Sequence, residues 1–167
     1  SSMLMSVLRE AQLAPSFIIG GDVRGVGSGA SWSSGKYLVV EADESDGTHE
    51  QLPLGAAIVT NIDVDHLDHF ATFDNVVESF ARFLDGVDGV KVVCVDDASL
   101  VQLAATRELA TYAVHASAHF TANNVKFLEG GSTFAVLRHE VVGDAGVELG
   151  RVQLQLRGEH NVSNALG

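Results

Sequence analysis

The chain has 167 residues, enough for one domain with a real core, and its 46% hydrophobic and 19% charged content is that of a globular protein rather than a disordered one. Acidic residues outnumber basic ones 22 to 10, giving a net charge of -12. No Lys/Arg cluster is present to neutralise a phosphate backbone or anionic lipid, which argues against nucleic acid and membrane surfaces as partners. A phosphate-bearing substrate would need a metal ion or a helix N-terminus to offset the charge.

In chain order, Met3, Leu4, Val7, Leu8 and Ala11 recur at helical spacing, so a helix is expected to run until Pro15 ends it. A short apolar strand at 17–19 closes on Gly20-Gly21. The Gly/Ser-rich stretch 22–35 reads as a loop, and 37–40 as a buried strand. Another strand is expected at 56–60. The stretch 73–87 carries Val76, Val77, Phe80, Phe83 and Leu84 on one helical face, with Asp74 as the expected N-cap. A strand at 90–95, a helix at 98–109 and a strand at 111–114 follow. Cys94, the single cysteine, falls inside the strand at 90–95 and reads as a core residue; one cysteine forms no internal disulfide, which suits a reducing cytoplasm. The opening SSMLMSVLREAQ lacks the features of a signal peptide, and no apolar run reaches the roughly 20 residues a membrane helix needs.

Strands alternating with helices predict an α/β fold, a mostly parallel sheet with flanking helices, over 1–116. From 117 to 158 the chain reads HFTANNVKFLEG, GSTFAVLRHEVV and VELGRVQLQLRG, joined by Gly-Gly and Gly-Asp-Ala-Gly turns. These are hairpin signals, so a smaller antiparallel section is expected there. The stretch 159–167 reads as the start of a helix. Both termini thus fall inside predicted elements, and the chain is expected to be a fragment of a longer protein.

Three constellations could carry chemistry. In YLVVEADESDG, residues 37–47, a strand delivers Glu41, Asp43, Glu44 and Asp46 at its C-terminal end, where open parallel sheets bind ligands. Such carboxylates repel one another unless a cation or raised pKa relieves them, and oxygen ligands suit Mg²⁺; a solvated acidic loop is the plainer alternative. In TNIDVDHLDHF, residues 60–70, His66 and His69 stand among Asp63, Asp65 and Asp68, again after a strand. If the two strands are neighbours in one sheet, both loops share an edge, which favours a metal; HLDH lacks the usual zinc spacing. In GEHNVSNALG, Asn161 and Asn164 share a helical face and could read an adenine edge, or could simply cap the helix. The segment GGDVRGVGSG is not a dinucleotide fingerprint, since no G-x-G-x-x-G opens a helix there, and no G-x-S-x-G elbow is present.

Taken together, SSMLMSVL, PSFIIGG, YLVVEADESDG, VTNIDVDHLDHF and GEHNVSNAL resemble the central ATP-binding domain of the Mur ligases, with a weakly matched middle from about 97 to 155. EADESDG followed by TNI-x-x-DHLDH resembles the branch that joins L-alanine to UDP-N-acetylmuramate. The resemblance implies a P-loop NTPase-like fold, a bacterial cytoplasmic ligase of peptidoglycan synthesis, ATP and Mg²⁺ as cofactors, and amide formation through an acyl phosphate. It implies Glu41 and His66 as catalytic metal ligands, with Asp65 orienting His66. It implies Asn161, Asn164 and, beside the base, His160 for the nucleotide, and Ser45, Asp46 and Asn61 for the muramoyl side.

The departures from the family pattern are specific. Its G-x-x-G-K-[ST] loop would precede Ser1, and its N-terminal UDP-binding and C-terminal domains are outside this chain, so the 167 residues alone are expected to be inactive. Gly29-Ala30 stands where the family has Asn-Ala, and Thr48-His49 where it has Ser and an apolar residue. The alternatives are another Mur-type ligase, such as the one that recycles a tripeptide onto muramate, and a non-catalytic Mg²⁺-binding fragment.

Overall fold

The structure is a computed structural model, and it describes residues 1–21, 27–45, 47–63 and 70–167. The chain divides into two compact units, Ser1–Glu44 and Ser45–Gly167.

The first unit holds helix α1 (Ser2–Glu10) and strands β1 (Ser16–Ile18), β2 (Ala30–Ser31) and β3 (Leu38–Val40), in the sheet order β2-β1-β3. β1 runs parallel to β3, pairing Phe17 with Val39, and antiparallel to β2. Met5 from α1 and Phe17, Ile19 and Val39 make its core, with Leu8 packed against them. The helix stops at Glu10, well before Pro15. Gln12 and Ala14 adopt positive φ, and this reversal, rather than the proline, ends α1.

The second unit carries a six-stranded sheet in sequence order: β4 (Ala56–Val59), β5 (Val90–Cys94), β6 (Ala110–Ala113), β7 (Phe120–Leu128), β8 (Gly131–Arg138) and β9 (Val147–Leu154). β4 to β7 pair in parallel, and β7-β8-β9 pair antiparallel, so the hairpin section continues the parallel sheet. His119 ties β6 to β7: its Nδ1 accepts from the Thr111 backbone N–H at 3.1 Å, and its own N–H donates to Thr111 Oγ1. Asp144 in the β8–β9 turn accepts the N–H groups of Val141 and Gly146, which hold its carboxyl below the usual range.

Two helices in the second unit follow the periodicity. α2 (Phe73–Asp85) buries Val76, Ser79, Phe83 and Leu84, and α3 (Ala98–Ala104) buries Leu100 and Leu103. The N-cap of α2 is Thr72, not Asp74: Thr72 is extended, and its hydroxyl accepts the Asn75 N–H. α3 ends at Ala104 instead of running to 109, because Thr106 and Arg107 turn away, the latter toward Asp85 at 2.8 Å. α4 (Glu159–Leu166) follows the sheet and buries Val162 completely. Cys94 is buried, as its strand position predicts.

The expectation that β3 and β4 are neighbours in one sheet is not met. β3 takes its ladder from β1, β4 takes its ladder from β5, and the two lie in different sheets. In sequence between them lies a 3-10 helix (Thr48–Gln51), which docks on α2. No helix among the described residues is long and apolar enough to cross a membrane.

Candidate functional site

In the first unit the parallel register of β1 and β3 brings Glu41 beside the end of β1, where its N–H donates to Ile18 O at 2.9 Å. Its side chain folds back over the Gly20 backbone: a Cβ on Gly20 would stand 3.1 Å from Glu41 Oε1. The carboxylate is exposed and accepts no hydrogen bond among the described residues. A hard, uncompensated oxygen donor at a strand end is the chemistry Mg²⁺ takes, so Glu41 fits that role by donor type and room. Gly29 closes on the same strand end. Its carbonyl accepts the Ile19 N–H, and a Cβ there would lie 2.7 Å from Ile19 O, so the backbone approach that builds this turn requires glycine.

In the second unit the candidate residues gather at the C-terminal ends of β4, β5 and β6. Asn61, just past β4, is exposed, and its Oδ1 accepts from Thr60 Oγ1 at 3.0 Å. The next N–H, of buried Ile62, donates to Asp97 Oδ2. Asp97 Oδ1 meanwhile accepts the Ser99 and Leu100 N–H groups as the N-cap of α3. One carboxylate thus fixes the loop carrying Asn61 and the start of a helix. Its neighbour Asp96 accepts the N–H groups of Val114, His115 and Ala116, shaping the loop after β6. These two acids were not singled out from sequence; their position straight after a strand, in VVCVDD, is the signal that could have found them.

The same loop reaches α4. His115 Nε2 lies 2.7 Å from Glu159 Oε1, and the hydrogen bond raises the His115 pKa above its ordinary value. Glu159 opens the helix that carries His160, Asn161 and Asn164. His160 and Asn164 are exposed and Asn161 is half-buried. The Asn161 amide nitrogen donates to Arg157 O at 2.8 Å and lies 3.0 Å from His160 Nε2, so a capping bond and a neighbouring ring orient it. Gly158 precedes the helix at φ 101°, and a Cβ there would strike the His160 ring at 2.7 Å. Below the helix, Cys94 Sγ and Ser163 Oγ are 3.6 Å apart, and burial pushes the Tyr112 phenol above its ordinary value.

Ser45 is half-buried at the start of the second unit. His66, Asp65 and Asp46, together with Asp68 and His69, lie outside the described residues. Among the described residues, no three His, Cys, Asp or Glu side chains form a group able to hold a metal ion.

Comparison with known proteins adds the following. The Mur ligase middle domain family matches residues 30–167. The chain is 38% identical over 170 residues to the UDP-N-acetylmuramate--L-alanine ligase of Bradyrhizobium sp. (strain ORS 278), covering 99% of this chain and 36% of that protein. It is 39% identical, with the same coverage, to the protein of that name from Aquifex aeolicus (strain VF5). Its fold is similar to that of UDP-N-acetylmuramate-alanine ligase from Thermotoga maritima, with a TM-score of 0.80 at 22% identity over 99% of this chain and 36% of that one. It is also similar to UDP-N-acetylmuramate:L-alanyl-gamma-D-glutamyl-meso-diaminopimelate ligase from Neisseria meningitides, with a TM-score of 0.78 at 28% identity over 99% of this chain and 54% of that one. The chain therefore spans about 36% of the length of the curated relatives it matches.

Proposed function

This chain belongs to the Mur ligase family through its middle domain, and from that premise we propose that the whole protein is a bacterial, cytoplasmic, ATP-dependent ligase. It joins L-alanine to UDP-N-acetylmuramate through an acyl phosphate, in peptidoglycan precursor synthesis. The observation that carries the reading is Glu41: a strand delivers its carboxylate over a glycine backbone, and no described donor neutralises it. Glu41 would hold one Mg²⁺ and His66 a second, and these ions, when bound, would offset the negative charge of the phosphates as a carboxylate approaches. Asp65 orients the His66 ring.

The other residues bind and orient. Asn161 and Asn164 present amide donors and acceptors to the adenine edge, and His160 packs by the base. Ser45, Asp46 and Asn61 face the muramoyl side. Asp97 keeps Asn61 in place by holding the N–H of Ile62. The activity belongs to the whole protein, because the relatives carry it on chains about three times the length matched here.

The test is product formation by the full-length protein with ATP, Mg²⁺, UDP-N-acetylmuramate and L-alanine. Glu41→Ala and His66→Ala should each lower turnover by about 100-fold or more, the scale of losing one electrostatic stabiliser of developing charge. Turnover like that of the unmodified protein would overturn the assignment of these residues. The similarity to the Neisseria ligase keeps a second reading, ligation of a tripeptide to the same nucleotide sugar. Activity with L-alanyl-γ-D-glutamyl-meso-diaminopimelate and none with L-alanine would select it.

A further inference from the structure

The acidic motif ends in a turn whose polar residues take no part in the reaction proposed above. Gly47, at φ 76°, leads into the 3-10 helix Thr48–Gln51, which starts three residues after Ser45. In it His49 is only 2% exposed, its imidazole packed against the neighbouring rings of Phe80 and Phe83, each with its centroid 5.4 Å away. His49 Nε2 lies 3.1 Å from Ser79 Oγ, and Ser79 is fully buried. The Ser79 hydroxyl also meets Glu50 Oε1, while Arg82 clamps both Glu50 oxygens, Nε to Oε2 at 2.8 Å and Nη2 to Oε1 at 2.9 Å.

Proton accounting fixes the direction of this chain. Glu50, held by Arg82 in its charged form, only accepts. Ser79 has one proton, and it goes to Glu50. Ser79 Oγ therefore accepts, and His49 Nε2 carries the hydrogen it accepts. The run reads His49 to Ser79 to Glu50, closed by Arg82. Ser79 is not a nucleophile: it is buried, and its proton points away from the imidazole that would have to remove it. An imidazole placed only to fill space among phenyl rings would need no such partners.

We infer that the His49–Ser79–Glu50–Arg82 chain is a lock that fixes the end of the substrate-facing loop on α2, which makes His49 a positioning residue for the ligase reaction. Two residues of the turn, His49 and Glu50, are pinned to two of one helix, Ser79 and Arg82, and both lie within a few residues of Ser45. The fit is directional because a hydrogen bond to a buried donor has one geometry, whereas an apolar ring in the same slot could slide and rotate. What the loop binds rests on the ligase reading; the lock itself does not.

The experiment compares His49→Gln with His49→Phe in the full-length protein. Gln keeps an N–H donor at the place of Nε2, and Phe keeps a ring against Phe80 and Phe83 but donates nothing. We expect His49→Gln to keep the KM for UDP-N-acetylmuramate and His49→Phe to raise it about tenfold, the scale of one lost buried hydrogen bond, with kcat and the KM for ATP within about twofold. A ring that merely packs gives the reverse order, and that result, or equal KM values for the two variants, would overturn the lock. If the unmodified protein has no ligase activity, the ligase reading fails alone. Hydrogen–deuterium exchange at amides 47–52 then decides: faster exchange in His49→Phe than in His49→Gln supports the lock, and equal exchange overturns it.

Discussion

Arg82→Met removes the guanidinium that clamps Glu50 while keeping most of the apolar stem. Arg82 makes two hydrogen bonds to the carboxylate, and with Ser79 they hold the Glu50 pKa down from 4.5 to about 2. Taken at face value that shift corresponds to about 3 kcal/mol. The Arg82 side chain is 57% exposed and that of Glu50 25%, so solvent screening reduces the pair to about 1–2 kcal/mol. The sign follows from the depressed pKa: the stabilisation is complete above the unfolded value of 4.5 and is lost as pH falls through about 2. Urea denaturation of the chain and its Arg82→Met variant at pH 7, 5, 4, 3 and 2 measures the difference directly. It should hold near its full size down to about pH 5 and shrink steadily below, and salt should reduce it at pH 7. A difference that stays constant from pH 5 to 2 would refute the ion-pair origin and leave only lost packing of the stem.

Other substitutions test the elements that carry the candidate residues. Asp97→Ala removes the N-cap of α3 and the acceptor of the Ile62 N–H together; a loss of about 1–2 kcal/mol in urea denaturation is expected, with faster amide exchange at Ile62. Gly29→Ala places a methyl against Ile19 O and should cost about 1–3 kcal/mol in the first unit, read as a lower thermal midpoint. Leu84→Ala empties a fully buried site under α2 and should cost about 2–5 kcal/mol by the same urea measurement.

Periodicity made α2 and β4 readable, because each buries residues at the spacing of its own geometry. Boundaries were less readable where two residues compete for one role. Thr72 and Asp74 can both cap a helix, and the choice is made by the extended backbone at Thr72. In the same way Pro15 offers a helix stop, but the left-handed Gln12 and Ala14 act first. The placement of β3 and β4 in separate sheets could not be read at all, because strand order depends on ladder partners far along the chain. Of the candidate site, Glu41, Asn161 and Asn164 were proposed from motifs alone. His49 was visible only as a departure from the family pattern; its burial depends on Ser79, Phe80 and Phe83, some thirty residues away.

The acids of this chain show why a count of carboxylates is a poor guide to a metal. Asp96 and Asp97 follow a strand just as Glu41 does, yet each is taken up by backbone N–H groups and spends its charge on shaping loops. Asp144 does the same in a turn, and Glu50 is neutralised by Arg82. Each of these is already satisfied by the protein, and binding a cation there would mean breaking bonds that hold the fold. Glu41 differs in having a backbone that leaves its carboxylate room and no described donor that claims it. Hydrogen-bond accounting thus separates, among acids that follow a strand, those taken up by backbone N–H groups from Glu41, which no described donor claims.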